Sequence, residues 1–217
     1  FIFSSSCTVY GQADTMPITE NAPIKPAESP YGNTKKIGEN IIEDVCKTTE
    51  TFKAIALRYF NPIGAHESAK IGELPIGVPQ NLVPYITQTG QGIREELSVF
   101  GNDYPTNDGT CIRDYIHVVD LAKAHVVALQ RLLNNKNETN YEVFNLGTGT
   151  GSSVLEVIES FERVSNKKLN YKIVDRRKGD VISAYADTTK ANTVLGWTAE
   201  SSLDDAMDSA WKWQQKL

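Results

Sequence analysis

The chain has few of the residues that build disulfide frameworks or metal centres. Its 217 residues include three cysteines and three histidines. Cys7, Cys46 and Cys111 are odd in number and widely spaced, which fits a reducing cytosol better than a disulfide scaffold or a zinc site. His66, His117 and His125 lack metal-ligand spacing, so no metal is expected. No apolar run approaches a membrane span, and no basic-then-apolar signal pattern opens the chain, so no membrane partner is expected. Positive charge is in deficit. Lys and Arg number 22 against 27 Asp and Glu, a net charge of −5 that argues against a nucleic-acid surface. Repeats and low-complexity tracts are absent. Also lacking is a Gly-x-Gly-x-x-Gly that follows a strand and opens a helix. The closest run, Gly147-Thr148-Gly149-Thr150-Gly151, comes late and has no acidic residue closing a later strand at the usual spacing.

What is present describes an ordinary globular chain, 40% hydrophobic and 23% charged, long enough for one large or two small domains. Phe1 to Phe3 reads as a central strand, apolar on both faces. Residues 11 to 29 read as loop. Ser29 as N-cap and Pro30 in the first turn open a helix to about Lys47, with Ile37, Ile41, Ile42 and Val45 on its buried side. Ala54 to Tyr59 is a second buried strand, followed by a Pro- and Gly-rich loop up to Pro79. A helix over Leu82 to Thr89 and a strand over Leu97 to Phe100 come next. Asp120 is expected to cap a helix from Leu121 to Leu133, with Ala122, Val126, Leu129 and Leu133 at helical spacing. Strands over Val143–Leu146 and Leu169–Val174 and helices over Ser152–Val164, Thr188–Leu195 and Leu203–Trp213 follow. Strands alternating with helices predict an α/β fold with a mainly parallel sheet.

The chemistry concentrates in Ser29-Pro30-Tyr31-Gly32-Asn33-Thr34-Lys35. A Tyr and a Lys four apart share one face of a helix. A free phenol titrates near pH ~10, too high for a base at neutral pH, and a nearby ammonium stabilises the phenolate. Upstream, Ser4-Ser5-Ser6 ends the first strand. Strand, hydroxyls, loop, then a helix carrying Tyr and Lys is the layout of the short-chain dehydrogenase/reductase catalytic group.

Longer segments narrow this. Phe3-Ser4-Ser5-Ser6-Cys7-Thr8-Val9-Tyr10-Gly11, Ser29-Pro30-Tyr31-Gly32 with Lys35, and Leu57-Arg58-Tyr59-Phe60-Asn61-Pro62-Ile63-Gly64-Ala65-His66 closely resemble the UDP-glucose 4-epimerase family. So do Pro79-Gln80-Asn81-Leu82, Phe100-Gly101-Asn102-Asp103-Tyr104-Pro105-Thr106, Arg113-Asp114-Tyr115-Ile116-His117-Val118 and Arg176-Arg177-Lys178-Gly179-Asp180. The resemblance implies interconversion of UDP-glucose and UDP-galactose, with tightly bound NAD as cofactor. Tyr31 would accept the 4-hydroxyl proton, Ser6 would hold the 4-oxygen, and Lys35 would bind the nicotinamide ribose. Phe60 would lie beside the cofactor. Asn61 would meet the sugar end and Asn81 a phosphate oxygen. Phe100 would pack by the uracil, Arg113 and Arg177 would hold phosphate and ribose, and Asp180 would accept from a ribose hydroxyl. Ala184 would face the sugar and leave room for N-acetyl sugars. A UDP-hexose is the implied substrate, a homodimer the implied assembly and the cytoplasm the implied location.

The fold implied is the later half of an NAD-binding Rossmann domain over residues 1–61, with a smaller mixed α/β substrate domain over 62–217. Residues 119–147 would pack back on the Rossmann sheet. The opening half, roughly a hundred residues, would be missing. The 217-residue chain alone is then expected to be inactive, with Phe1–Phe3 and Ala54–Tyr59 short of strand neighbours. A 4,6-dehydratase or UDP-glucuronate decarboxylase is the nearest enzymatic rival. Relatives of the first kind place Asp-Glu directly after the Ser6 position and the second keeps a Glu, whereas this chain has Cys7 and Thr8, unfit as carboxylate acid/bases. A non-catalytic UDP-sugar-binding remnant is the rival from another class.

Overall fold

A computed structural model of the chain describes residues 1–177 and 179–217. Lys178, part of the Arg176–Asp180 segment, lies outside the described residues. Three parallel strands form the main sheet: β1 (Ile2–Ser6), β2 (Ala54–Tyr59) and β7 (Tyr141–Leu146), in the order β1-β2-β7. In β2, Ala54, Ile55, Ala56 and Leu57 are fully buried, as a strand paired on both edges and covered on both faces requires. Two expectations are corrected here. Ala54–Tyr59 does not lack strand neighbours. Phe1–Phe3 is not central within this chain, but it is short of a strand neighbour as expected: β1 pairs with β2 along one edge only, and Phe1 is exposed.

Helix α1 (Pro30–Thr48) follows the reading of its N-terminus, with Pro30 in the first turn and the Ser29 hydroxyl accepting from the Gly32 N–H at 3.1 Å. Its faces are reversed. Gly32, Glu39 and Cys46 are buried, whereas Ile37, Ile41 and Val45 are exposed and Ile42 is half-buried. Glu39 tolerates burial because Arg58 of β2 neutralises it. Helix α3 (Val118–Leu133) departs in the same way: Leu121, Ala124 and Ala128 pack on Ile55, Leu57, Phe144 and Leu146, and Val126, Leu129 and Leu133 face outward. Asp120 is not its cap. His117 caps, its Nδ1 accepting from the Val119 N–H at 3.0 Å. The Asp120 carboxylate instead accepts from the Glu200 and Ser201 N–H groups at 3.0 and 2.8 Å. A π-helical turn, Ala191–Leu195, and Trp197 complete this core.

A second core lies around β4 (Leu97–Phe100), which pairs with β9 (Tyr171–Val174). Helices α2 (Leu82–Gly90), α4 (Val154–Ser165) and α5 (Leu203–Gln214) supply Val83, Ile86, Val157, Phe161, Met207 and Trp211. The Phe161 and Trp211 rings meet edge to face at 5.3 Å. Between the two cores run β3 (Asn61–Ile63) with β6 (Tyr115–His117), and the small group β10 (Ser183–Ala184), β5 (Ile112–Arg113) and β8 (Ser152–Ser153). Ser153 caps α4 through a reciprocal bond with Glu156. The Gly147–Gly151 run serves a carboxylate. Asp114 accepts from the Thr148 N–H and Oγ1 at 2.8 Å and from the Gly149 N–H at 3.2 Å. A Cβ at Gly147 would sit 2.3 Å from Asp114 Oδ2, so only glycine fits there. Among the described residues no helix is long and apolar enough to cross a membrane, and no cluster of His, Cys, Asp and Glu could hold a metal ion.

Candidate active site

A cleft of about 880 Å³ opens between the two cores, at the carboxyl ends of β1 and β2, where an open parallel sheet offers its ligand crevice. Every sequence-predicted site residue except Lys35 and Ala184 lines it: Ser6, Tyr31, Phe60, Asn61, Asn81, Phe100, Arg113, Arg177 and Asp180.

At the sheet end, Ser6 closes β1 and caps a 3-10 turn over Cys7–Tyr10. Its Oγ accepts from the Thr8 N–H at 3.2 Å and from Thr8 Oγ1 at 3.0 Å. Both lone pairs are engaged, leaving the Ser6 hydroxyl hydrogen to donate to an incoming oxygen. Tyr31, in the first turn of α1, is half exposed to the cleft. Lys35 lies one turn further and outside the lining. Its Nζ sits 5.4 Å from the Tyr31 ring centroid and donates to the Ser4 carbonyl at 2.8 Å. Of its three donor hydrogens that bond uses one. Phe60 is buried against Val9, Tyr10, Ile18 and Ala186. Ala184 packs against the same cluster, behind the wall of the cleft rather than in it.

At the other end Arg113 donates to the Ile112 and Val181 carbonyls at 2.8 and 2.9 Å. It pairs with Asp180 at 3.6 Å rather than with Asp114 or Asp120. Arg177 grips Asp180 by two points, 2.8 and 3.2 Å, which raises the guanidinium pKa. Its guanidinium lies 5.7 Å from the centroid of the Phe100 ring, which is exposed at the end of β4. Arg176 turns away to Asp103 and stacks over Tyr104 at 4.1 Å. Asn81 precedes α2 without capping it and donates instead to Glu73 at 2.7 Å.

Sequence reasoning passed over Thr8, Tyr59, Cys111 and Tyr115, which also line the cleft. For Thr8 the signal was present: a hydroxyl two residues after Ser6 closes a local turn onto it. Tyr59 had none beyond its place at a strand end. Burial pushes the Cys7 thiol up to about 12, against only partial relief from Arg113, so it is no nucleophile at neutral pH. Burial likewise raises Cys111.

A parallel sheet with a serine at a strand end, facing Tyr-x-x-x-Lys on the next helix, defines a short-chain dehydrogenase/reductase. The second core marks its extended branch. The chain belongs to the family described as GDP-mannose 4,6 dehydratase, whose sequence profile matches residues 1–210. Among its curated relatives are UDP-glucose 4-epimerases of Drosophila melanogaster and Bacillus subtilis. The first is 51% identical over 216 residues, 100% of this chain and 61% of the relative. The second is 52% identical over 213 residues, 98% of this chain and 62% of the relative. The fold matches the crystal structure of UDP-glucose-4-epimerase from Stenotrophomonas maltophila with bound NAD and formylated UDP-arabinopyranose, at a TM-score of 0.95 and 48% identity. It also matches the Bifidobacterium longum UDP-glucose 4-epimerase in complex with NAD+ and UDP, at a TM-score of 0.92 and 47% identity. Each comparison covers 99% of this chain and 63% of the solved one. The chain thus spans about three-fifths of the length of these relatives.

Proposed function

We propose that this chain carries the catalytic and UDP-sugar-binding residues of an NAD-dependent UDP-glucose 4-epimerase. One observation carries the reading: a single cleft holds Ser6 and Tyr31, with Lys35 behind, at one end and Arg113, Arg177 and Phe100 at the other. Its volume suits a nucleotide diphosphate sugar. The two guanidiniums suit phosphates and the exposed Phe100 ring suits a stacked base.

The residues fit the cofactor as well. Lys35 keeps two donor hydrogens for ribose hydroxyls, beside the Tyr31 ring, and Phe60 supplies an apolar wall of the same cleft. When bound, NAD supplies a reversible hydride acceptor for sugar C4. The Tyr31 phenolate takes the proton from the 4-hydroxyl while Ser6 donates to the same oxygen. Lys35 stabilises the phenolate. The 4-keto sugar turns about its link to the diphosphate, which Arg113 and Arg177 hold, and the hydride returns to the other face. Because the hydride would return to the sugar no net redox would occur, and Tyr31 would give its proton back to the 4-oxygen. Asn61 meets the sugar, Asn81 a phosphate oxygen, and Asp180 a ribose hydroxyl once Arg177 turns to the nucleotide. Elimination of water at C6 finds no support. Cys7 and Thr8 follow Ser6, and the carboxylates lining the cleft, Glu73 and Asp180, are engaged with Asn81 and the arginines.

The division into residues 1–61 and 62–217, with 119–147 packed back on the main sheet, accords with the two cores, although Ala191, Leu195 and Trp197 join the sheet side too. A homodimer accords with the outward stripe Ile37, Ile41 and Val45 on α1, three apolar residues at one-turn spacing. Three free cysteines accord with the cytoplasm. The deciding experiment incubates the full-length protein with NAD and UDP-galactose. UDP-glucose is the expected product. Dehydration of GDP-mannose without epimerisation would overturn the reading.

A further inference from the structure

Beneath the cleft lies a buried polar network that the proposed mechanism does not use. The Glu39 carboxylate accepts from Arg58 Nε at 2.9 Å and Arg58 Nη2 at 2.6 Å. The Ser5 hydroxyl donates to the same carboxylate. Arg58 Nη1 reaches the Tyr10 hydroxyl at 3.0 Å, and that hydroxyl donates to Asn145 Oδ1 at 2.7 Å. All five side chains are buried, Ser5, Tyr10 and Asn145 completely.

Its members stand next to the residues that would act on the sugar. Glu39 follows Tyr31 and Lys35 on one helix face at successive four-residue steps. Ser5 immediately precedes Ser6. Tyr10 ends the 3-10 turn that Ser6 caps and that carries Thr8. The Glu39–Arg58 pair on α1 and the central strand β2 therefore ties both halves of the catalytic group together: Arg58 holds α1 through Glu39 and the turn through Tyr10, and Glu39 holds the end of β1 through Ser5. A buried ion pair is weak evidence for stability, because desolvation offsets most of its attraction. It does impose geometry, since a planar two-point fork tolerates little rotation.

We propose that Glu39 and Arg58 are positioning residues, which set the rotation of α1 so that Tyr31 and Lys35 meet Ser6 across the cleft. The proposal rests on the reading of Tyr31, Lys35 and Ser6 given above. Misplacement of reacting groups by about an ångström can cost on the order of 10²-fold in rate.

The test uses the NAD-loaded full-length protein. Arg58→Lys keeps the buried charge and loses the fork. The double variant Glu39→Met with Arg58→Met removes both charges and keeps apolar packing. Expected for both is a kcat lower by about 10- to 100-fold, with KM for UDP-galactose within about twofold. A displaced pH–rate profile should accompany it. The double variant should approach the parent thermal midpoint without recovering kcat. Titration of the Tyr31 phenol by absorbance, as the difference from a Tyr31→Phe counterpart, should move in the same variants whether or not sugar turns over. Parental kcat, profile and titration in a variant with a lowered thermal midpoint would show a structural pair only and overturn the proposal. Failure of every variant to fold would do the same. A parent that does not interconvert UDP-sugars, or a Tyr31→Phe protein as active as the parent, would sink the reading of the site, and the Tyr31 titration would still decide the pair.

Discussion

At the scale of the residue, Tyr31 and Ser6 differ in exposure and hydrogen bonding, as the roles proposed for them require. Tyr31 is open to the cleft, while Ser6 is buried with both lone pairs held by Thr8. Replacing Tyr31 by Phe is expected to lower kcat by about 10²–10⁴, the range for a lost general base, with KM for UDP-galactose little changed because the arginines remain. Lys35→Met should move the pH–rate profile upward, since the phenolate would lose a cation 5.4 Å from its ring. An unmoved profile would count against Lys35 as the tuning group. Ala184 packs against the cluster that holds Phe60, which itself lines the cleft, so a larger residue there would press on that wall. The full-length protein is expected to interconvert UDP-N-acetylglucosamine and UDP-N-acetylgalactosamine too. Ala184→Tyr should remove that activity and spare the simple hexoses, because overpacking costs typically 1–3 kcal/mol. Comparison of kcat/KM for both sugar pairs checks this.

At the scale of the element, α1 decides how much the site can be trusted to hold its shape. Its Ser29 cap, its proline start and its length were legible, because each is a local preference written in adjacent residues. Its buried face was not. Periodicity selects Ile37, Ile41 and Val45, yet the sheet receives Gly32, Glu39 and Cys46. A charged residue reads as solvent-facing until its partner is known, and Arg58 is 19 residues away. The outward apolar stripe of α3 was ambiguous for a related reason. Its inward face uses Ala124 and Ala128, small side chains that let a helix approach a sheet and contribute little to an apolar pattern. Ser29→Ala should cost about 1 kcal/mol by urea unfolding and also lower kcat, because the first turn carries Tyr31. Ser202→Ala, at the equivalent cap of α5, should cost a similar amount and leave kcat unchanged.

For the whole molecule, buried charge sets the response to acid. Burial works against ionisation of Glu142, but hydrogen bonds from Arg131 and the Glu138 N–H outweigh it and hold the carboxyl below its ordinary value. In Asp120, bonds from Ser201 and Glu200 likewise overcome burial. Both contribute stability that is complete above the unfolded carboxylate value, near pH ~4, and lost as pH falls through the lowered folded values. His117 adds to this at higher pH. Burial lowers its pKa, so its contribution is complete above about 6.5 and declines as pH falls through the folded value. Asp114 runs the other way. Burial raises its pKa despite bonds from Thr148, Ala186 and Gly149, so it favours the fold at acid pH and opposes it once ionised. Three groups against one predict net acid lability. A thermal midpoint that stays flat as the pH falls from 7 to about 2, through the lowered carboxylate values, would contradict it. Glu142→Gln leaves Arg131 buried without its counter-charge and should cost about 3–5 kcal/mol at neutral pH.

The sequence by itself determined the α/β class, the strand over Ala54–Tyr59, the helix cap at Ser29, and most of the residues that gather in the cleft. These follow from local preference and from short segments whose chemistry and spacing stand together in the chain. Only the tertiary structure decided which face of α1 and α3 is buried, why Asp120 staples residues 200 and 201 instead of capping, and that the glycine run wraps Asp114. It alone joined Glu39 to Arg58 and Asp180 to both arginines. Those choices depend on partners far apart in the chain, and the energy of a buried charge is set by what stands opposite it once the chain has closed.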